Sequence, residues 1–281
     1  MRFIEYIKAI ILGIVEGITE WLPISSTGHM ILVDEFLHLN VSPEFLEMFL
    51  VVIQLGAICA VPVLFWDKLY PLSRKKTKEE NGAIWQVWFK VVVGVIPAAV
   101  LGVLLDDLLD EYLYNYVVVA IALITYGVAF IFVEKNKAER ETRINSVNEI
   151  GYKDALKIGA FQVLSLIPGT SRSGSTILGG MLCGVSREAS AEFSFFMAIP
   201  IMLGASALKV LKFIMDGFSA GVDELAFLAV GMIVSFIVSV YVIKFLMDFV
   251  KRHDFKIFGY YRIGLGALVL IYFVVKTLVL R

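Results

Sequence analysis

Two cysteines in 281 residues leave little room for a covalent or metal scaffold. Cys59 and Cys183 fall in apolar stretches and read as small buried hydrophobes. With three histidines in the whole chain, no Cys/His cluster has zinc spacing. Charge is scarce too: 18% of residues are charged and 59% hydrophobic, and the mean hydropathy is +0.82. A soluble domain of this length carries more charge and shorter apolar runs. The basic residues form no basic face, which argues against a nucleic-acid partner, and a net charge of −1 favours no partner of either sign. A cleavable signal peptide is not expected, because Met1–Leu22 contains Glu5, Lys8, Glu16 and Glu20 and lacks a small-residue cleavage site after a clean apolar core.

What the chain does have is long apolar runs. Six stretches reach the roughly 20 residues needed to cross a bilayer: Phe45–Phe65, Ile84–Leu105, Leu113–Val133, Ala189–Leu208, Glu224–Leu246 and Phe258–Leu280. Two more are interrupted. Ile4–Val33 is broken by Pro23-Ile-Ser-Ser-Thr-Gly, and Ala155–Val185 by Pro168-Gly-Thr-Ser-Arg-Ser-Gly. Each half of such a stretch is too short to span, and Pro, Gly and Ser at the break end one helix and begin another. Both read as re-entrant helix pairs, with irregular backbone that survives at membrane depth only inside protein or beside a water-filled cavity. The fold class expected is an all-α integral membrane protein of six spans plus two re-entrant pairs, embedded in bilayer lipid.

Lys68, Arg74, Lys75, Lys76 and Lys78 crowd one loop; Lys135, Lys137, Arg140, Arg143 and Lys153 a second; Lys251, Arg252 and Lys256 a third. The positive-inside rule puts these three in the cytoplasm, and the acidic hairpin Asp106–Glu111 and the segment Asp34–Glu44 outside, with both termini. The halves are also alike. Gly13 matches Gly159, Glu16 matches Gln162, Pro23 matches Pro168 with a one-residue offset, and Gln54-Leu-Gly-Ala57 echoes Met202-Leu-Gly-Ala205. Residues 1–133 form a first repeat, 134–153 a cytoplasmic linker and 154–281 a second repeat. Three spans per repeat is odd, so the second enters from the opposite face, the inverted pattern that places binding sites at the midplane.

Glu16 and Glu20 lie at i, i+4, on one helix face. Two acids side by side at membrane depth need a cation or a shared proton, so the pair is a divalent-metal ligand set or a proton-sharing dyad, unless this half-helix lies at the wet interface. Ser25-Ser26-Thr27-Gly-His29 follows Pro23. Hydroxyls at a helix start cap it, and with the free N–H groups they also bind phosphate. His29 is one turn beyond Ser26 and within reach as its base. The second break, Pro168–Thr176, carries five hydroxyls, two glycines and Arg172 in an apolar segment. Glycines let N–H groups converge on an anion, and arginine offers a fork matched to phosphate oxygens.

At these residues the chain strongly resembles the bacterial undecaprenyl-diphosphate phosphatases, also called bacitracin-resistance proteins. Glu16-x-x-x-Glu20 with Pro-Ile-Ser-Ser-Thr-Gly-His is similar to that family's first signature, Pro168–Thr176 to its second, and Glu192–Pro200 to a third segment. The resemblance implies hydrolysis of undecaprenyl diphosphate to the monophosphate carrier of peptidoglycan synthesis, in the bacterial cytoplasmic (inner) membrane with the site open to the periplasm. It implies that Glu16 and Glu20 serve a metal or the diphosphate, that Ser26 or an activated water attacks phosphorus, that His29 is base or acid, and that Arg172 clamps phosphate. Thr27, Ser171 and Thr176 would be supporting ligands, with Ser25, Gly169, Thr170, Ser173 and Gln54 in the substrate-binding set. The implied cofactor is a divalent cation, Mg2+ or Ca2+. A homodimer is compatible with the chain, although no residue pattern specifies one. A polyprenyl-phosphate flippase or secondary transporter with a midplane anion site is the alternative of a different class.

Overall fold

The computed structural model describes residues 2–136 and 142–279. Lys137, Arg140 and Leu280, used above in the loop charges and the last span, lie outside the described residues. Among the described residues the chain is helical, apart from 3₁₀ turns and one isolated bridge between Ile144 and Val185. Six helical segments are long and apolar enough to cross a membrane: Pro43–Leu64, Lys78–Leu105, Tyr116–Lys135, Arg187–Met215, Val222–Arg252 and Lys256–Leu278. Each overlaps one of the expected spans.

In chain order, α1 (Arg2–Thr19) and α2 (Ser26–Leu37) form a first hairpin. The first span is built of α3 (Pro43–Val52), α4 (Gln54–Ile58) and α5 (Ala60–Leu64), and α6 (Trp66–Leu69) follows it. Pro62 lacks the N–H that Ile58 would bond, which accounts for the break at Cys59. The next spans are α7 (Lys78–Leu113) and α8 (Tyr116–Lys135). A second hairpin, α9 (Tyr152–Val163) and α10 (Arg172–Leu182), precedes α11 (Arg187–Met215), α12 (Val222–Arg252) and α13 (Lys256–Val279).

One boundary departs from the sequence reading. The acidic stretch Asp106–Glu111, expected as a hairpin loop, continues the backbone of α7 to Leu113. Leu, Asp and Glu in this run include no helix breaker, and the stop comes only before Asn115, whose side chain accepts from the Val118 N–H and starts α8. At its other end α7 is fixed by a capping box: the Thr77 hydroxyl accepts from the Glu80 N–H, and the Thr77 N–H donates to the Glu80 carboxylate.

Packing crosses between the halves. The hairpin helix α1 lies along α12, and α9 lies along α7, while α8 packs against α13 and α3 and α4 against α11. Glycines allow the close approaches. A Cβ on Gly13 would sit 2.6 Å from the Gly231 carbonyl oxygen, and one on Gly159 would sit 2.1 Å from that of Gly94. Small residues at helix crossings are what drives association where lipid is as apolar as the side chains. Large apolar side chains point outward along the spans, among them Phe89, Val92, Ile96 and Val103 on α7 and Ile233, Ile237 and Tyr241 on α12. A belt of this extent on a water-soluble monomer would be an association surface; here it faces hydrocarbon. The chain is a multi-pass membrane protein.

Candidate active site

The two helix breaks meet. Each break ends in a serine with a positive φ, Ser25 at 75° and Ser171 at 74°, and each serine caps the helix that follows. The Ser25 hydroxyl accepts from the Gly28 N–H at 3.3 Å and the Ser171 hydroxyl from the Gly174 N–H at 3.1 Å. Ser26 and Arg172 are therefore the first residues of α2 and α10, with the unbonded N–H groups of each first turn beside them.

Glu20 joins them. Arg172 Nη2 donates to Glu20 Oε1 at 2.8 Å, and the Ser26 hydroxyl donates to Glu20 Oε2 at 3.2 Å. Side-chain exposure is 12% for Arg172 and 7% for Glu20, so the pair is largely out of solvent, and removing either partner would strand a buried charge. Arg172 Nη1 also donates to the Ser194 carbonyl at 2.8 Å, and its guanidinium lies 5.8 Å from the Trp21 ring centre. Both Nη groups are thus committed, while Nε is buried without a partner among the described residues.

The hydroxyls of the second break serve two purposes. Ser173 donates to the Glu20 carbonyl at 2.9 Å, tying the start of α10 to the end of α1, and lies 3.2 Å from the Ser171 hydroxyl. Thr176 shares a 2.7 Å hydrogen bond with the Ser194 hydroxyl and donates to the Arg172 carbonyl. Thr170 is buried, and Gly169 holds a φ of +90° with its Cα hydrogens against Val119. Gln54 starts α4, partly exposed. Among the described residues it makes no hydrogen bond to the Glu20 cluster.

His29 is placed differently from its expected pairing with Ser26. Its Nδ1 is 2.7 Å from the Ser25 carbonyl oxygen and its Nε2 2.7 Å from the Tyr261 hydroxyl, with the two rings stacked. A carbonyl can only accept, so Nδ1 carries the proton, and Nε2 of the neutral ring accepts from Tyr261. The side chain that receives the Ser26 hydrogen bond is Glu20. Glu16 is buried one turn before Glu20, under the fields of Glu20 and Arg172, and its Oε1 has no hydrogen-bond partner among the described residues. Gln162, its counterpart in the sequence comparison of the halves, is buried with neither side-chain polar atom hydrogen-bonded among the described residues. Thr27, next to Ser26, opens onto a largely apolar cavity of about 460 Å³ lined also by Val95, Ala99, Pro200, Tyr114 and Lys209.

Residues 9–268 match the model of the family described as bacitracin resistance protein BacA. Among curated relatives, a protein of Acetivibrio thermocellus named undecaprenyl-diphosphatase is 58% identical over 270 residues, covering 96% of this chain and 98% of its own. One of Enterococcus faecalis with the same name is 59% identical over 273 residues, covering 96% and 98%, and one of Streptococcus gordonii is 56% identical over 279 residues, covering 99% of each. The chain belongs to the bacitracin resistance protein family.

In this family member, three neighbours of the cluster lie beyond the candidate site residues named from the sequence. Ser194, on α11, anchors both Arg172 and Thr176. Tyr261 holds His29. Arg262, fully buried on α13, donates from Nη1 to the Pro23 carbonyl at 3.1 Å and from Nη2 to the Gly169 and Thr170 carbonyls at 2.9 and 2.8 Å. The sequence held a signal for Arg262, since an arginine inside an apolar span is costly and rarely idle. Ser194 falls inside Glu192–Pro200, the third segment of the resemblance, though that segment gives it no role, and nothing comparable marks Tyr261, an ordinary residue of a membrane helix.

Proposed function

We propose that this chain hydrolyses undecaprenyl diphosphate to undecaprenyl phosphate and inorganic phosphate, the activity for which its relatives are named, and that Ser26, Glu20 and Arg172 carry the reaction. The observation behind the assignment is the continuous chain Ser26–Glu20–Arg172, in which one carboxylate is shared by Ser26 and by Arg172, the latter 152 residues from Glu20 in sequence.

The chemistry follows from the partners. The Ser26 oxygen forms a bond to the terminal phosphorus, and its proton passes to Glu20 Oε2. The bond from phosphorus to the bridging oxygen breaks, and undecaprenyl phosphate leaves with the electron pair. Water then forms a bond to phosphorus as the bond to the Ser26 oxygen breaks, Glu20 returns its proton to Ser26, and inorganic phosphate leaves carrying the two protons of the water. Arg172 opposes the charge of the phosphoryl oxygens with its unengaged Nε–H, and its anchorage on Ser194 leaves little reorganisation to be done. The first-turn N–H groups of α2 and α10, both opening at this point, add fixed partial positive charge. His29, engaged by Ser25 and Tyr261, acts by shaping the Ser25–Ser26 backbone and serves as a proton donor or acceptor through Tyr261. Thr27, Ser173 and Thr176 complete the cradle.

A divalent cation, Mg2+ or Ca2+, suits the donor set. Glu16 presents an unpartnered buried carboxylate oxygen one turn from Glu20, and hard cations at phosphate sites take one or two carboxylates plus substrate oxygens rather than an all-protein cage. When bound, the ion would offset the charge of the diphosphate.

The architecture we propose is an inverted repeat of two re-entrant pairs, each followed by three spans. The exchange of partners supports it: α1 on α12 mirrors α9 on α7, and the breaks carry the same serine cap. The protein sits in the bacterial cytoplasmic membrane with its cation-rich loops inside. Its cavity runs from Tyr114 and Lys209, at the outer ends of α7 and α11 in this orientation, to Thr27, so the site opens outward.

The test is phosphate release from a polyprenyl diphosphate by purified wild type, Ser26→Ala and Arg172→Ala in detergent. Release by the wild type, lost in both folded variants, is expected. Undiminished release by both variants would remove the assigned roles.

A further inference from the structure

We infer that Arg262 is a positioning residue for the reaction: a single guanidinium from α13 sets the separation of Ser26 and Arg172 by holding the backbone of both helix breaks at once. The inference rests on the phosphatase reading given above.

A fully buried guanidinium is expensive unless its hydrogen-bonding capacity is met. Among the described residues Arg262 has no carboxylate hydrogen-bonded to it. Its acceptors are three backbone carbonyls, Pro23 from the first break and Gly169 and Thr170 from the second, which engage both Nη groups while Nε has no partner among the described residues, and its charge also lies 5.5 Å from the Tyr126 ring centre. These carbonyls belong to residues just before Ser25 and Ser171, where the chain has left one helix and not begun the next, so no helical N–H is available to them. One nitrogen, Nη1, serves the first break and the other, Nη2, serves the second. The planar fork therefore fixes a distance between two segments that are 146 residues apart by the numbering of Pro23 and Gly169.

Local sequence in the second break is fitted to this fork. A Cβ on Gly174 would lie 3.3 Å from Arg262 Nη1, tighter than a side chain ordinarily sits, and Gly169 holds a left-handed φ with Val119 O 2.5 Å from where its Cβ would be. The glycine at 174 lets the guanidinium reach the start of α10, and the glycine at 169 lets the chain turn its carbonyl toward it. Ser26 and Arg172 each begin the helix immediately after the clamped segment. Their meeting at Glu20 is thus set from behind by Arg262, which among the described residues hydrogen-bonds to the side chain of none of the three. Lysine keeps the charge but offers one compact ammonium in place of a two-ended fork, so it can satisfy one break and not both.

The experiment compares wild type, Arg262→Lys and Arg262→Met in detergent, measuring thermal unfolding, elution volume, and kcat and KM for phosphate release from a polyprenyl diphosphate. Absence of turnover in the wild type would fail the phosphatase reading itself and take this inference with it. With wild-type turnover present, the expected result is a folded Arg262→Lys protein whose kcat falls about 100-fold, the scale of a misplacement near 1 Å, while KM stays within about threefold and Arg262→Met falls at least as far. A folded Arg262→Met protein with wild-type kcat would overturn the inference. So would loss of the folded species in both variants, because Arg262 would then be a folding element only. If Arg262→Met alone fails to fold, the kcat of Arg262→Lys decides.

Discussion

Ser25 and Ser171 adopt one backbone conformation at the starts of two different helices, with φ of 75° and 74°, and each accepts a hydrogen bond from the glycine three residues on. A left-handed φ on a residue with a Cβ costs about 1–3 kcal/mol and persists only where surroundings hold it. Here the cap is part of what holds it. Ser25→Ala and Ser171→Ala should each lower stability by about 1 kcal/mol, the usual loss for a removed N-cap, and Ser→Gly at either position should lower it less, since glycine removes the conformational penalty along with the hydroxyl. Thermal unfolding in detergent, alanine against glycine at each site, measures the difference.

Glu20 and His29 compete for the role of base to Ser26, and the geometry favours Glu20. Glu20→Gln keeps the shape and removes the charge. It should cut kcat by about 10²–10⁴-fold, the range for loss of a general base, and destabilise the fold by about 3–5 kcal/mol by leaving Arg172 unpaired. His29→Gln should cost about tenfold or less. A larger kcat loss from His29→Gln than from Glu20→Gln would reverse the two roles.

Metal dependence should run through Glu16. Chelation should abolish turnover of the wild type, and Mg2+ or Ca2+ should restore it. Glu16→Gln should need a cation concentration at least about tenfold higher for half-maximal rate, because a neutral amide is a poorer ligand for a hard cation than a carboxylate. A chelator-insensitive wild type would remove the ion from the reaction.

The crossings at Gly13 and Gly159 should be intolerant of a single methyl group. Gly159→Ala places a carbon 2.1 Å from the Gly94 carbonyl and Gly13→Ala one 2.6 Å from that of Gly231. Neither neighbour is a flexible side chain, so whole helices must part. We expect each substitution to cost about 1–3 kcal/mol, the range for overpacking, with Gly204→Ala, where nothing lies within 4 Å, as the neutral control.

The sequence revealed the spans because a bilayer demands long apolar runs, and it revealed the two breaks because proline, glycine and serine stop helices wherever they occur. It located Ser26, Glu20 and Arg172 through their polarity against an apolar background. Pairing was harder to see. The Ser26 hydroxyl has His29 nearby along the helix, but the fold turns the imidazole toward Tyr261, 232 residues away, a relation that no local spacing encodes. Asp106–Glu111 looked like a loop because charge was taken as a sign of solvent, whereas charge at the end of an apolar helix is also what lets that helix protrude into water. Arg262 stands in the sequence as a cation well inside the last span, where Lys276 sits at its end, yet its carbonyl partners emerge only with both breaks side by side.

The crossed packing also bears on how the protein is made. The helix α1 leaves the ribosome first, but the surface that seats it belongs to α12. The Gly17 carbonyl accepts from Ser239, 222 residues downstream. Until α12 is inserted, α1 lacks the surface that seats it, although Arg172 on α10 is already made, and Arg262 on α13 arrives later still. A segment synthesised early is thus among the last to reach its final surroundings.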